Sequence, residues 1–484
     1  MPPVSRLVVL AFLCGAFLVP IIEQAQAQQL NGLSLTVGDN LLNGLIEEAV
    51  PVVLPHLQNL PLPSFGGTEH AGVTKVHWNL TNVVLSSVNL TSLTTQFEGA
   101  GFEVAAHGVS MVVNADWEAK FRTVWDNHIH GSAVVTFYDS SADVDVDFAQ
   151  SAGHLQFALR STNVDLEHFK LKLHGGESWF ANFFKVFIVA AIKDHVKSGF
   201  NEAMSDLLNE VNTISMHLPL SIPVDFDDLA LNISLTAVPS VPATGYSSFP
   251  VQGNVFSLHD ANNSWPPFVP SSPLPNLVSS DSVQFYIQSY VMNSAAWTLF
   301  ELGQLVAHVP DLNTVDVAPF IPKLSERYPD RPLAIGIHVS TAPIFTLSSS
   351  NGATMVANAS LPFEVTLKNN TIVSPCVLAA TLTFGIDLDV KSVNQTAVLF
   401  GNITAFQTVF SEQSSSIGPI DVAGLEDSLN KLLSSVLIPL LDSFLNHGLA
   451  IPTLPFGIQL VNPQLQIADD YLLIGSSFAL SPLS

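Results

Sequence analysis

The sequence predicts an α+β protein of two similarly ordered halves, each a long antiparallel sheet closed by a long helix. Three observations carry that prediction. First, residues 109–122 alternate strictly: Val109, Met111, Val113, Ala115, Trp117, Ala119 and Phe121 fall on one face, and Ser110, Val112, Asn114, Asp116, Glu118, Lys120 and Arg122 on the other. That period of two is the mark of a half-buried strand. Second, residues 178–211 and 422–449 repeat their apolar side chains at threes and fours, the period of a helix. Third, the order helix, strands, long helix, Pro-punctuated turn, strand pair occurs twice.

In chain order, Arg6, the apolar run Leu7–Ile22 and Ala25-Gln26-Ala27 fit a cleaved signal peptide over residues 1–27, with an uncleaved anchor as the alternative. A helix is expected over residues 41–57, although Pro51 and Pro55 weaken it. After the 109–122 strand, Ala142, Val144, Val146 and Phe148 alternate with Asp143, Asp145 and Asp147, and Leu155, Phe157 and Leu159 begin a further strand. Its alternation slips at His168 and resumes at Phe169, Leu171 and Leu173, as a bulge that bends a sheet would make it do. The long helix follows. Pro239–Pro275 then holds eight prolines among Gly, Ser and Asn and reads as an extended linker. The second half opens with helical spacing over residues 283–305 and continues through strands over 333–410. Its helix at 422–449 contains Pro439 as a kink and is stopped by Gly448 and Pro452. The expected domains are therefore 28–238 and 276–484, joined by 239–275.

Of the 484 residues, 48% are apolar and 12% charged, so large cores are available and disorder is excluded. Lys plus Arg number 16 against 41 Asp plus Glu. A nucleic-acid partner would need a basic footprint, and that class is excluded. No stretch beyond the leader reaches the length of a membrane span. Eight Asn-x-Ser/Thr sequons, at Asn79, Asn89, Asn232, Asn262, Asn358, Asn369, Asn394 and Asn402, agree with secretion to the extracellular space. Beyond the leader Cys376 is the single cysteine, read as a buried inert thiol or as a partner in intermolecular pairing.

The motifs of catalysis are missing from the sequence: it has no Gly-x-Ser-x-Gly, no His-Glu-x-x-His and no phosphate loop. His128 and His130 share a strand face without further metal-ligand types nearby, and Asp143, Asp145, Asp147, Asp387 and Asp389 read as solvated strand faces. The expectation is a non-enzyme that needs no metal or cofactor. What is distinctive is an apolar excess on long helices beside long bent sheets. Such layers close as a dry core or leave an apolar cavity, and periodicity does not separate the two. Filling a cavity with an acyl chain gains about 0.8 kcal/mol for each methylene withdrawn from water.

Several segments resemble a known family. Ser282–Ala295 with Gly303, the ending Gly457–Pro463 with Asp470–Gly475, the run Gly108-Val109-Ser110 through Trp117-Glu118-Ala119-Lys120, and Gly175-Gly176-Glu177-Ser178-Trp179 are each similar to stretches of the bactericidal/permeability-increasing protein, lipopolysaccharide-binding protein and plasma lipid-transfer protein family. The resemblance implies an elongated two-domain boomerang. Each domain is a highly rolled antiparallel sheet wrapped by a long helix, and a central sheet joins the two. It implies two apolar pockets holding phospholipid or another amphipathic lipid, and transient contact with a membrane or lipoprotein surface. Two departures stand out. The disulfide typical of animal members has no cysteines here, because residues 155–169 and 201–211 contain none. The strongly basic first domain of the bactericidal branch is also missing, since residues 28–240 hold 9 Lys plus Arg against 23 Asp plus Glu. A local basic patch remains at His168, Lys170, Lys172 and His174.

The function expected from these readings is a secreted carrier or transfer protein for lipid, without covalent chemistry. Phe187, Ile188, Leu433, Val436 and Leu440 are its candidate pocket-lining residues, each equally suited to a dry core. The alternatives are an innate-defence protein that binds bacterial lipopolysaccharide, a glycosylated extracellular scaffold whose pocket has closed and, least favoured, an esterase.

Overall fold

A computed structural model of the chain describes residues 31–47, 60–71, 74–122, 126–166, 168–175, 178–224, 229–259, 265–275, 282–393, 396–451 and 458–480. The leader, Asn262 and Asn394 lie outside the described residues.

Among the described residues three large sheets, antiparallel throughout, organise the molecule, together with a small three-stranded sheet. The first domain is built on two strands of 22 and 26 residues, Gly101–Arg122 and Asp126–Ser151. Thr74–Asn89 and Ser92–Glu98 add to the first of these, and His154–Asp165 and His168–His174 to the second. The alternation read over 109–122 is the burial pattern observed as far as residue 120: Val109, Met111, Val113, Ala115, Trp117 and Ala119 are all buried. The helix Ser178–Ser215 lies along His154–Asp165. In the second domain the strands run in the order 306–313, 332–348, 352–366, 372–393, 396–415 and 449–450, with the helix Val422–His447 against the fifth. Asp421 caps that helix by accepting the Gly424 N–H at 3.2 Å, and Gly448 at φ 80° ends it.

The slip at His168 has a structural counterpart on the neighbouring strand. Burial passes from Val164 and Leu166 to the 169–173 parity, while on the partner strand it passes from Phe137 to Ser140 across Asp139, held at φ 50°. Both strands change phase at the same level, so the sheet bends there without losing register: Tyr138 pairs with His168 and Ser141 with Asp165.

The central sheet corrects two expectations. Residues 283–288 are not the start of a helix but a strand, Val283–Gln288, and the helix is confined to Ser289–Glu301. A strand paired on both edges and covered on both faces carries buried residues at both parities, all but half-buried Ile287 here, so its period of two is invisible. Likewise, the stretch read as an extended linker supplies the strands Ser240–Ala243, Tyr246–Val251 and Val255–Ser257. Pro242 is tolerated because Ser240–Ala243 is the edge strand of the central sheet. The opening helix is described over residues 39–47, residues 48–57 of the expected helix lying outside the described residues, and it follows a strand, Leu33–Gly38, that the sequence did not announce.

Across the central sheet the strands run 240–243, 246–251, 33–38, 283–288, 471–480 and 458–468, three from each half. The hydrogen bonds at its middle come in matched pairs. Gly38 N–H donates to Ser282 O, and Gln288 N–H to Gly32 O, both at 2.9 Å. Gly245 N–H donates to Phe97 O and Asp470 N–H to Leu347 O, both at 3.0 Å. Asp39 N–H donates to Gly245 O at 2.8 Å and Ser289 N–H to Asp470 O at 2.9 Å. Residue 32 corresponds to 282, 38 to 288, 39 to 289 and 97 to 347, all at one offset, while the turn that serves both, Gly245 in one half and Asp470 in the other, stands at a shorter one. The duplication inferred from element order therefore holds atom by atom where the halves meet.

Candidate functional site

The interior of the first domain closes firmly at its far end. Val76, Trp78, Leu80, Val113, Trp117, Val135 and Phe137 meet Ile188, Ile192 and Val196 of the long helix, all buried. A second cluster, around Phe97, Phe102, Val146, Phe148 and Phe157, closes the end next to the central sheet. Between the two, burial falls away. Leu93, Val104, Ala106, Ala142 and Val144 are only half-buried, as are Phe200, Met204, Leu207 and Leu208 on the helix. Strand register sets the sheet residues in two rows: Leu93–Ala106–Ala142–Val164 and Thr95–Val104–Val144–Thr162. The second row is tied to a helix at each end. Asn43, on the opening helix, brackets Thr95 by accepting its N–H at 2.8 Å and donating to its carbonyl at 3.3 Å. At the other end, the Thr162 hydroxyl donates to Asn201 Oδ1 at 3.1 Å. Half-buried apolar side chains thus run in two short rows between two helices, with a threonine at each end of one row, and such a strip suits extended hydrocarbon.

The other face of these strands is polar and solvated. Arg160 reaches Asp145 at 3.3 Å and Asp147 at 3.5 Å, Asn163 donates to Asp143 at 3.4 Å, and Ser161 donates to Asp145. The three aspartates are therefore cross-strand partners of neighbouring side chains. Asp389 pairs with Lys391 at 2.9 Å, beside a cleft of about 540 Å³ that Asp387, Phe400, Asn402 and Asn446 also line. Its polar rim does not suit acyl chains.

The five candidate lining residues are not brought together. Ile188 belongs to the closed far end of the first domain, and the side chain of Phe187 lies outside the described residues. Leu433 is fully buried and Val436 half-buried in the second-domain core, while Leu440 is 53% exposed. Leu93, Val104 and Ala106 were missed by sequence reading; Ala142 and Val144 were recognised as a strand face, and only register shows what they face. Of the sequons, Asn89, Asn358, Asn369 and Asn402 are exposed and Asn79 and Asn232 half-buried.

The basic patch read from residues 168–174 is larger in space than in sequence. Register places Thr68–His77–Lys120–His128 and Asn79–Glu118–His130 side by side on the outer face of the first-domain sheet, with Ser132–His174, Val134–Lys172, Thr136–Lys170 and Tyr138–His168 continuing it. His70 and Lys75 pair at one corner. The six histidines and four lysines are all exposed. Glu118 accepts from His128 Nε2 at 3.1 Å, and Asp116 from Asn82 at 2.8 Å.

A two-domain fold with paired apolar interiors and a shared central sheet defines a class of lipid-binding proteins. Models of the LBP / BPI / CETP family match residues 42–211 (the N-terminal domain) and 228–480 (the C-terminal domain), and the chain belongs to that family. It is 22% identical over 439 residues to the bactericidal permeability-increasing protein of Sebastes schlegelii, covering 87% of this chain and 89% of that one. It is 24% identical over 468 residues to a putative BPI/LBP family protein of Arabidopsis thaliana (93% and 91% covered). To the lipopolysaccharide-binding protein of Homo sapiens it is 22% identical over 479 residues (92% and 93% covered). The crystal structure of lipopolysaccharide binding protein superposes with a TM-score of 0.55 at 18% identity over 93% of this chain and 99% of that one. The chain has that protein's rolled, tubular two-domain fold.

Proposed function

We propose that the protein is secreted and carries an amphipathic lipid, a glycerophospholipid or a lipid of similar build, by sheltering its acyl chains between the helices of the first domain. The half-buried floor of Leu93, Val104, Ala106, Ala142 and Val144 carries the reading. Its exposed hydrocarbon is costly in water, and acyl chains laid on it gain about 25 cal/mol for each Å² of apolar surface covered. Extraction and release require no bond to be made or broken. The test is transfer of fluorescent phosphatidylcholine between two vesicle populations, catalysed by protein purified without detergent. Concentration-dependent transfer supports the reading. No transfer, from a folded protein that also stays empty after incubation with vesicles, sinks it and favours the scaffold.

A second reading, recognition of lipopolysaccharide, draws on the relatives' names and on the outer face of His70, Lys75, His77, Lys120, His128, His130, His168, Lys170, Lys172 and His174. Such a face attracts phosphorylated lipid through charge, so binding weakens as salt screens it. Titration of lipopolysaccharide at two salt concentrations separates the readings: tight binding lost at 0.5 M salt supports this one, and salt-independent binding or none leaves the carrier alone.

A further inference from the structure

The offset that relates the halves permits a position-by-position comparison of their interiors. Asn293, on the opening helix of the second domain, brackets Phe345 as Asn43 brackets Thr95: it accepts the Phe345 N–H at 2.6 Å and donates to the Phe345 carbonyl at 3.1 Å. Both pairs are separated by 52 residues. From those anchors the register runs across topologically equivalent strands. In the first domain the row is Thr95–Val104–Val144–Thr162. In the second it is Phe345–Met355–Phe384–Phe406. Even the irregularities correspond: the register shifts between Asp145 and Val146 in one domain and between Gly385 and Ile386 in the other.

The two rows differ sharply in bulk. Three aromatic rings and a thioether stand where the first domain has two threonines and two valines. The second-domain row thus holds about a dozen more side-chain heavy atoms, roughly the content of a medium acyl chain. Phe384, 2% exposed, lies 5.0 Å from Phe406, and Met355 is buried as well, while Phe345 and Phe406 are half-buried, so the contrast between the rows is one of bulk at every position and of burial at Phe384 and Met355. One row along, the first domain has half-buried Ala106 and Ala142 where the second has buried Ala357 and Leu382. One row the other way, Leu347, Ala353 and Ile386 are buried as well, so the second-domain interior has not merely moved its opening.

We infer that the two domains are unequal in function. The first holds the lipid; the second is sealed by its own side chains, chiefly Phe384 and Phe406, so that one chain carries one lipid. The inference rests on the carrier reading and deepens it, replacing two equivalent pockets by a single one. Phe384 and Phe406 then act as an internal substitute for acyl chains, and the second domain as a rigid body supporting its half of the central sheet.

The test counts lipids. The full-length protein is secreted from a eukaryotic host, purified without detergent, incubated with phosphatidylcholine vesicles, separated by gel filtration and weighed by native mass spectrometry. The wild type is expected to hold one phosphatidylcholine. Val144→Trp is expected to hold none; Ala142→Leu, a milder filling of the same floor, is expected to retain at most a tenth of the lipid should the tryptophan variant fail to fold. The double variant Phe384→Ala with Phe406→Ala is expected to hold two, and circular dichroism melting checks its fold. Two lipids in the wild type, or a lipid retained by folded Val144→Trp, overturn the inference while leaving the carrier reading intact. A folded double variant that stays at one lipid overturns the sealing role of the two rings. A wild type that stays empty overturns the carrier reading, and this inference with it.

Discussion

Asn212 holds Phe157 from both sides of its peptide unit: its Oδ1 accepts the Phe157 N–H and its Nδ2 donates to the Phe157 carbonyl, each at 2.8 Å. Asn43 and Asn293 make the same bracket at the opening helices, so three asparagines fasten three helices to sheets at places where strand pairing alone would leave backbone groups unmet. Removing such a side chain strands both a donor and an acceptor. Asn212→Ala is therefore expected to lower stability by about 2–4 kcal/mol, because two groups lose partners at about 1–3 kcal/mol each and water recovers part of it. Urea unfolding measures this, and a change within 0.5 kcal/mol would show that the bracket is ornamental.

Leu433 is fully buried between the second-domain helix and sheet. A larger ring there has no cavity to enter. Leu433→Trp should cost about 1–3 kcal/mol through overpacking, without selective loss of lipid binding. Normal melting together with abolished lipid uptake would instead make Leu433 a pocket residue.

Cys376 is buried, and burial, with a smaller contribution from Glu412, pushes its thiol up to about 12. At neutral pH it stays protonated, and it is inaccessible to reagents. Iodoacetamide followed by peptide mapping should leave Cys376 unmodified in the native protein and label it in 6 M guanidinium. A Cys376-linked dimer on a non-reducing gel of native protein would contradict the burial.

The Asp469 carboxylate is held below the usual carboxylate range, because it accepts the Ser349 N–H at 2.8 Å and the Ser349 hydroxyl at 2.9 Å. A pKa lowered by folding contributes stability that is fully present above the ordinary carboxylate pKa and is lost as pH falls through the folded value. The wild type should accordingly exceed Asp469→Asn in stability at pH 7, and the gap should close below about pH 4. A gap that is constant from pH 7 to pH 3 would rule the carboxylate out as its source.

How much of this was legible in the sequence depends on whether a residue's neighbours are local. The alternation at 109–122 announced its strand because one face is wet and the other buried. Val283–Gln288 did not, because every face of a central strand is covered and its apolar run could equally open a helix. The long helices were visible through their spacing, yet spacing cannot say that Ile188 meets a closed core while Phe200 and Leu207 look onto a half-open floor. That distinction lies in Val104 and Val144, about forty residues apart in sequence and adjacent only through register. The outer face was glimpsed as four residues at 168–174, because that strand is contiguous; His77, Lys120 and His128 joined it only once three strands were aligned.

The strand Leu33–Gly38 lies between Tyr246–Val251 and Val283–Gln288. On the ribosome it emerges some 210 residues before its first neighbour and about 250 before its second, so it waits with both edges bare while the whole first domain is made. Pairings this remote slow folding, and an unpaired edge invites the wrong partner. The first domain is thus not a detachable module. A fragment cut within the Pro-rich stretch before residue 246 would lose both neighbours of its opening strand, and its natural fate is to aggregate or to borrow a strand from another copy.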